Sequence, residues 1–164
     1  MARREHVPGG QIVKNIETRI EGSEKLTGIF GYWPSFHDAE VIELNFWRGN
    51  VNPEAGRYTF PVLTVKLHLW EITRGVNAKG YLVLVKHTLA TIRFHDVLES
   101  KIEGFNQQNA IFGLDISWEE RPEGPSPVFA AIFRPAFGVD ASLKCMRIEV
   151  LDAVPCTEDG TLRA

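Results

Sequence analysis

Two tripeptides place an imidazole beside a carboxylate: Phe36-His37-Asp38 and Phe94-His95-Asp96. Such a pair can ligate a metal ion or move a proton in acid–base catalysis. The doublet of a His-Asp phosphohydrolase lies on a helix among further ligands, whereas Phe36-His37-Asp38 leads into an alternating, strand-like run. His68, His87 and His95 fall in separate β segments, and no HxH or HExxH spacing sets two imidazoles on one ion. Histidines on neighbouring strands can still converge, so only the local metal motifs are excluded.

Nucleophilic chemistry finds less support. There is no GxSxG elbow, and Ser126 lies between two prolines in a turn. CxxC, P-loop and GxGxxG patterns are absent. Glu119 and Glu120 adjoin at a strand end, where consecutive side chains point to opposite faces, so they do not share a proton. A carboxylate at a turn-to-strand boundary commonly accepts main-chain N–H bonds, and this structural role is the expectation for Asp38, with His37 held by a strand neighbour. The second doublet ends a strand where the first begins one, so the two sit in opposite contexts.

The aromatic residues divide in the same way. Trp33 and Phe36 bracket Pro34 and are expected to anchor a helix–strand junction in the core. Trp47 and Trp70 fall on the face opposite the main apolar set of their strands. Either a helix or loop covers them, or they form an exposed pair at a binding surface, where tryptophan is a favoured anchor. Glu119 and Glu120 belong to an acidic stretch, 96–123, in which seven acids face only Lys101 and Arg121, a local net charge of −5. The stretch is either a solvated face or a patch that steers a basic partner, with Glu119 and Glu120 as contact candidates.

The elements that must position these groups follow from periodicity. Residues 1–10 end in Pro8-Gly9-Gly10 and read as a flexible arm, 11–156 as one β-rich domain, and 157–164 as a C-terminal tail. Ser23 is the expected N-cap of a short helix, Glu24 to Phe30, stopped by Gly31. Beyond Pro34 the period becomes two, with Ile42, Leu44 and Phe46 expected on the core side. Leu63, Val65, Leu67 and Leu69 give the cleanest alternation. A run from Tyr81 to Phe94 slips phase near Lys86-His87, which predicts a bulge. Residues 97–109 read as a polar linker with one helical turn; strands resume at Phe112–Trp118, Val128–Ile132 and Leu143–Val150, the last with a slip around Met146. About six strands joined by Gly/Pro turns, with one or two short N-terminal helices, predict an antiparallel β-sandwich or strongly curled sheet.

With 164 residues, 44% hydrophobic and 24% charged, the chain suits one globular domain. A net charge of −3 gives no global case for nucleic-acid binding. The longest apolar runs are far too short to span a bilayer, and no signal peptide follows the basic N-terminus. Two cysteines, Cys145 and Cys156, do not make a disulfide framework. These features point to a cytoplasmic protein with reduced thiols, no cofactor and no membrane.

The run Gly31-Tyr32-Trp33-Pro34-Ser35-Phe36-His37-Asp38-Ala39-Glu40-Val41 resembles a motif of the bacterial immunity protein 50 family, which is associated with polymorphic toxin systems. Ser142 to Cys156 is similar to the closing strand of those proteins. The resemblance implies a non-enzymatic antidote that binds a cognate toxin, with Trp33, Phe36, His37 and Asp38 as structural motif residues. It carries no catalytic role onto His37 or Asp38. Residue chemistry leaves open a small metal-dependent hydrolase or ligand-binding β-sandwich using His37 and Asp38, and exposed edge strands leave a homodimer open.

Overall fold

The computed structural model describes residues 14–164, so the arm expected over 1–10 lies outside the described residues. In chain order these form a 3-10 turn at Ile16–Arg19, α1 (Glu24–Phe30), β1 (Glu40–Trp47), β2 (Val51–Asn52), β3 (Arg57–Tyr58), β4 (Val62–Val76), β5 (Leu82–Glu103), β6 (Ile111–Glu119), β7 (Val128–Pro135) and β8 (Asp140–Pro155). Six strands make one antiparallel sheet in the order β1-β4-β5-β8-β7-β6, and β2 pairs with β3.

Alternation decides which face is buried. Leu63, Val65, Leu67 and Leu69 of β4 turn inward with Ala90, Ile92 and Phe94 of β5. Phe129, Ala131 and Phe133 of β7 complete the same face with Leu143 and Cys145 of β8. Each leucine, valine, isoleucine or phenylalanine among them contributes about 1.5–3 kcal/mol when fully buried. Burial pushes the Cys145 thiol up to about 12, the behaviour of an inert core residue. Helix α1 joins this core through Leu26 and Phe30, four residues apart and therefore on one helix face. Gly31, at φ 84°, ends the helix and donates its N–H to the Thr27 carbonyl at 2.8 Å.

The sheet curls until its two edges touch at one end only. Glu40 bridges Ala110, the Ile111 N–H donates to the Ala39 carbonyl at 3.0 Å, and the Asp38 N–H donates to the Ile111 carbonyl at 3.0 Å. Farther along, β1 and β6 diverge and the sheet stays open.

Two kinks produce the curl. At Lys86 (φ 55°), Leu69 pairs with Thr88 but Glu71 with Val85, so two residues of β5 face Trp70 alone. This is the bulge expected from the phase slip. At Asp96 (φ 54°) the buried set moves from Phe94 to Val97, and on β8 it moves from Cys145 to Ile148 while Met146 and Arg147 both point to solvent. The slip expected around Met146 is therefore half of a bend shared by two strands.

Two expectations need correction, and one turn holds a ladder of its own. Residues 97–103 are not linker: β5 continues to Glu103, because Asp140–Lys144 of β8 supplies a partner ladder for that polar run. The turn after β1 contains the small β2–β3 ladder. On β1, Val41 is buried, whereas Ile42 is 45% exposed and Phe46 is also open to solvent. The register shifts between Val41 and Glu43, and this irregularity exchanges the faces; Leu44 still packs partly against the core.

β7 leaves β8 after Phe129 and Cys145, and the freed edge of β8 is taken by Glu21. The Glu21 N–H donates to the Ile148 carbonyl at 3.0 Å, and the Val150 N–H donates to the Glu21 carbonyl at 2.8 Å. Gly22 follows at φ 68°, where a Cβ would lie 2.4 Å from the Val150 oxygen. Gly22→Ala is therefore expected to lower the unfolding free energy by more than about 2 kcal/mol, combining left-handed strain with a main-chain clash. Urea denaturation measures it; a loss under about 0.5 kcal/mol, the scale of a neutral surface change, would contradict this account.

Candidate binding surface

The Trp33–Asp38 junction is built from two left-handed residues, Phe36 (φ 59°) and Asp38 (φ 62°). This backbone turns Phe36 inward to 2% exposure, where Trp33 meets it edge-on with ring centroids 5.5 Å apart. Both aromatics thus anchor the helix–strand junction as their positions about Pro34 suggest.

Asp38 departs from expectation. Its main-chain N–H is bonded, but its carboxylate takes no main-chain donor among the described residues. The carboxylate stands 3.1 Å from Nδ1 of His37, with both side chains about half exposed (54% and 49%). Left-handed backbone at Asp38 directs the side chain outward, which aspartate tolerates better than most residues. The pair sits beside a cleft of about 800 Å³ along β6, where Trp33 and His37 oppose Phe112 and Ile116, and the Arg134–Asp115 ion pair closes the rim at 2.7 Å. Ser35 Oγ accepts the His37 main-chain N–H at 3.3 Å. Among the described residues no group of three His, Cys, Asp or Glu side chains could hold a metal ion.

The second doublet is occupied elsewhere. His95 Nε2 and Glu149 Oε2 are 2.8 Å apart, and that bond chiefly holds the Glu149 carboxyl below its ordinary range, with Arg147 and Arg93 adding to it. What the two doublets share is an aspartate in left-handed conformation at a change of chain direction.

Trp47 is the exposed member of the tryptophan pair, 47% open to solvent. Across the outer face Asn45 stands opposite Thr64, Thr64 opposite Arg93, and Arg93 opposite Glu149. Trp47 follows in the next outward position, and Asn45, Trp47, Val62, Thr64, Arg93 and His95 line a hollow of about 410 Å³. Arg93 Nε donates to Thr64 Oγ1 at 3.1 Å, which holds the guanidinium in the hollow that Trp47 also lines. The hollow can take an apolar group flanked by an acceptor. Arg93 was not singled out by sequence pattern; its outward phase on β5, opposite Ile92 and Phe94, is the signal that marks it, and His95 of the second doublet shares that phase.

Trp70 belongs to another environment. It is half-buried and packs edge-on against His68 at 5.0 Å and against His87 at 5.7 Å. Trp47 lies opposite Val62, eight positions along β4 from Trp70, or about 26 Å at 3.3 Å per residue. The two tryptophans do not form one contact pair.

The acidic stretch is partly neutralised, by its own Lys101 and Arg121 and by Lys144 from β8. Glu119 meets Lys144 at 2.9 Å, Glu99 meets Arg121 at 3.0 Å, and Glu103 meets Lys101 at 3.4 Å. Glu120 is exposed and accepts the Ser126 hydroxyl at 2.9 Å. Between Glu99, Glu119 and Lys144 a groove of about 460 Å³ opens on the outer face over Ala130 and Ser142.

The family model of immunity protein 50 matches residues 22–154. The chain belongs to the immunity protein 50 family. No curated relative and no solved structure matches it. The immunity protein 50 match begins at Gly22, one residue after the Glu21 bridge to β8, and ends at Val154 within β8. It takes in α1, the Trp33–Asp38 junction and the Trp47 hollow, and leaves out the turn that follows β8. No helix among the described residues is long and apolar enough to cross a membrane.

Proposed function

We propose that this immunity protein neutralises a cognate bacterial toxin in the cytoplasm by binding it, without catalysis of its own. Membership of the immunity protein 50 family across the whole sheet carries this reading. The outer face around Trp47 is the contact surface, with Glu119 at its far edge and Glu120 just beyond the end of β6. A standard interface needs about 800 Å² from each partner, a demand that one face of a six-stranded sheet can meet. The toxin encoded beside the gene is the direct test. It should co-purify with this chain, and cells producing both should survive; absence of both binding and protection would end the proposal.

The exposed His37–Asp38 pair beside the 800 Å³ cleft favours one alternative, a small metal-dependent hydrolase or ligand-binding module. His37→Ala separates the two. Toxin binding and protection that survive the change support the non-catalytic reading, whereas protection lost with binding intact supports the alternative.

A further inference from the structure

An imidazole pair on the outer side of β4 and β5, at the end of the sheet away from Trp47, has no part in toxin binding as proposed above. His68 Nε2 and His87 Nδ1 are 3.1 Å apart, and His68 is only 7% exposed. The chain beyond β8 lies over them. The Cys156 N–H donates to the His87 carbonyl at 2.9 Å, and Cys156 bridges Leu162 to close a turn. Within that turn the Thr157 N–H donates to the Thr161 carbonyl at 2.9 Å, and Asp159 is bonded by the Thr157 hydroxyl and the Thr161 N–H. Gly160 rests on the His68 ring: a Cβ there would stand 3.2 Å from Nδ1. Trp70 packs against both rings from the other direction, and Glu158 of the turn shares a hollow with Trp70 and His87.

One proton satisfies the contact between the two imidazoles. A second one charges a pair walled by an indole and a glycine, and His87 Nε2 is buried with no hydrogen-bond partner. The nearby charges do not compensate. Asp159 and Glu40 act on His68 from the turn and from β1, but Asp159 is already committed to Thr157 and Thr161. Lys86, next to His87, turns away to the Phe30 carbonyl and Glu71, and Arg163 acts on the Cys156 thiol.

We propose that the Cys156–Leu162 turn is an acid-released latch: protonation of the His68–His87 pair lifts it from β4 and β5 and uncovers Trp70. Burial, and then His87, hold the His68 pKa below its ordinary value. The open form therefore binds the proton more readily. Closure is intact above the ordinary histidine value of about 6.5 and weakens as pH falls below it. The turn lies beyond the family match, while His68 and His87 lie within it. The latch stands independently of the toxin-binding reading.

The two free, buried cysteines report on it: Cys156 lies in the latch and Cys145 in the sheet core. The full chain is labelled with 4,4′-dithiodipyridine, which reacts in mild acid, and each rate is normalised to a model thiol at the same pH. The normalised Cys156 rate should rise roughly tenfold or more between about pH 7.5 and pH 5.5, while Cys145 stays protected. In His87→Gln that rise should flatten. A Cys156 rate that tracks the model thiol, Cys145 labelled in step with Cys156, or an unchanged rise in His87→Gln would each overturn the proposal.

Discussion

Phe36→Ala is expected to lower the unfolding free energy by about 3–5 kcal/mol, a large part of what a domain of this size holds in reserve. Phe36 is among the largest fully enclosed side chains, and Trp33 packs edge-on against it. Its left-handed backbone gains nothing from alanine, which is as ill-suited to φ 59° as phenylalanine. The loss also reaches the seam, because Asp38 and Ala39 beside it carry the hydrogen bonds to Ile111. His37→Ala, which removes a half-exposed side chain one position away, should stay within about 0.5 kcal/mol. Parallel urea melts of the two variants decide the matter. Similar midpoints for both would mean that the junction is not anchored through Phe36.

Trp47→Ala is expected to weaken toxin binding by about 2–4 kcal/mol, the range of an interface anchor, while the thermal midpoint stays nearly unchanged. Both halves follow from a side chain half open to solvent beside Arg93 and His95. Trp70→Ala should behave in the opposite way: its indole packs on two imidazoles, so the midpoint should fall. Titration calorimetry against the toxin, paired with melting curves, reads both. Full-strength binding by Trp47→Ala would move the contact surface away from this hollow, with the cleft between Trp33 and β6 next in line.

Local sequence signals carried well where they concern one strand or helix. The period-two pattern of Leu63–Leu69, the Ser23–Gly31 limits of α1 and the slip at Lys86 each depend on neighbours a few residues away, and the fold agrees with all three, though Ser23 marks the helix start without a side-chain cap bond. Expectations weakened where a distant partner decides. Residues 97–103 look like linker because their side chains are polar, yet β8 gives them a ladder. The acidic stretch looks unbalanced until Lys144 and Arg134, from β8 and β7, fold onto it. Val41 and Ile42 exchange faces because of a register shift that alternation does not encode. At Phe36-His37-Asp38 the residue types suggested chemistry, while the unusual property is conformational: two left-handed residues, one thrown into the core and one out to solvent.

The seam between Glu40 and Ala110 also sets an order of events in folding. β5 and β8 form the long central ladder, from Glu103 with Asp140 to Thr88 with Pro155, and the β6–β7 hairpin lies between them in the chain. A hairpin closes within microseconds, whereas pairing strands far apart in sequence must first meet a larger loop-closure entropy. β1 and β6 reach each other only after β4, β5, β8 and β7 have lined up in the sheet order between them. The seam is thus expected to form last and part first, and transient excursions of the native protein should begin there, by unrolling the sheet from its two edges.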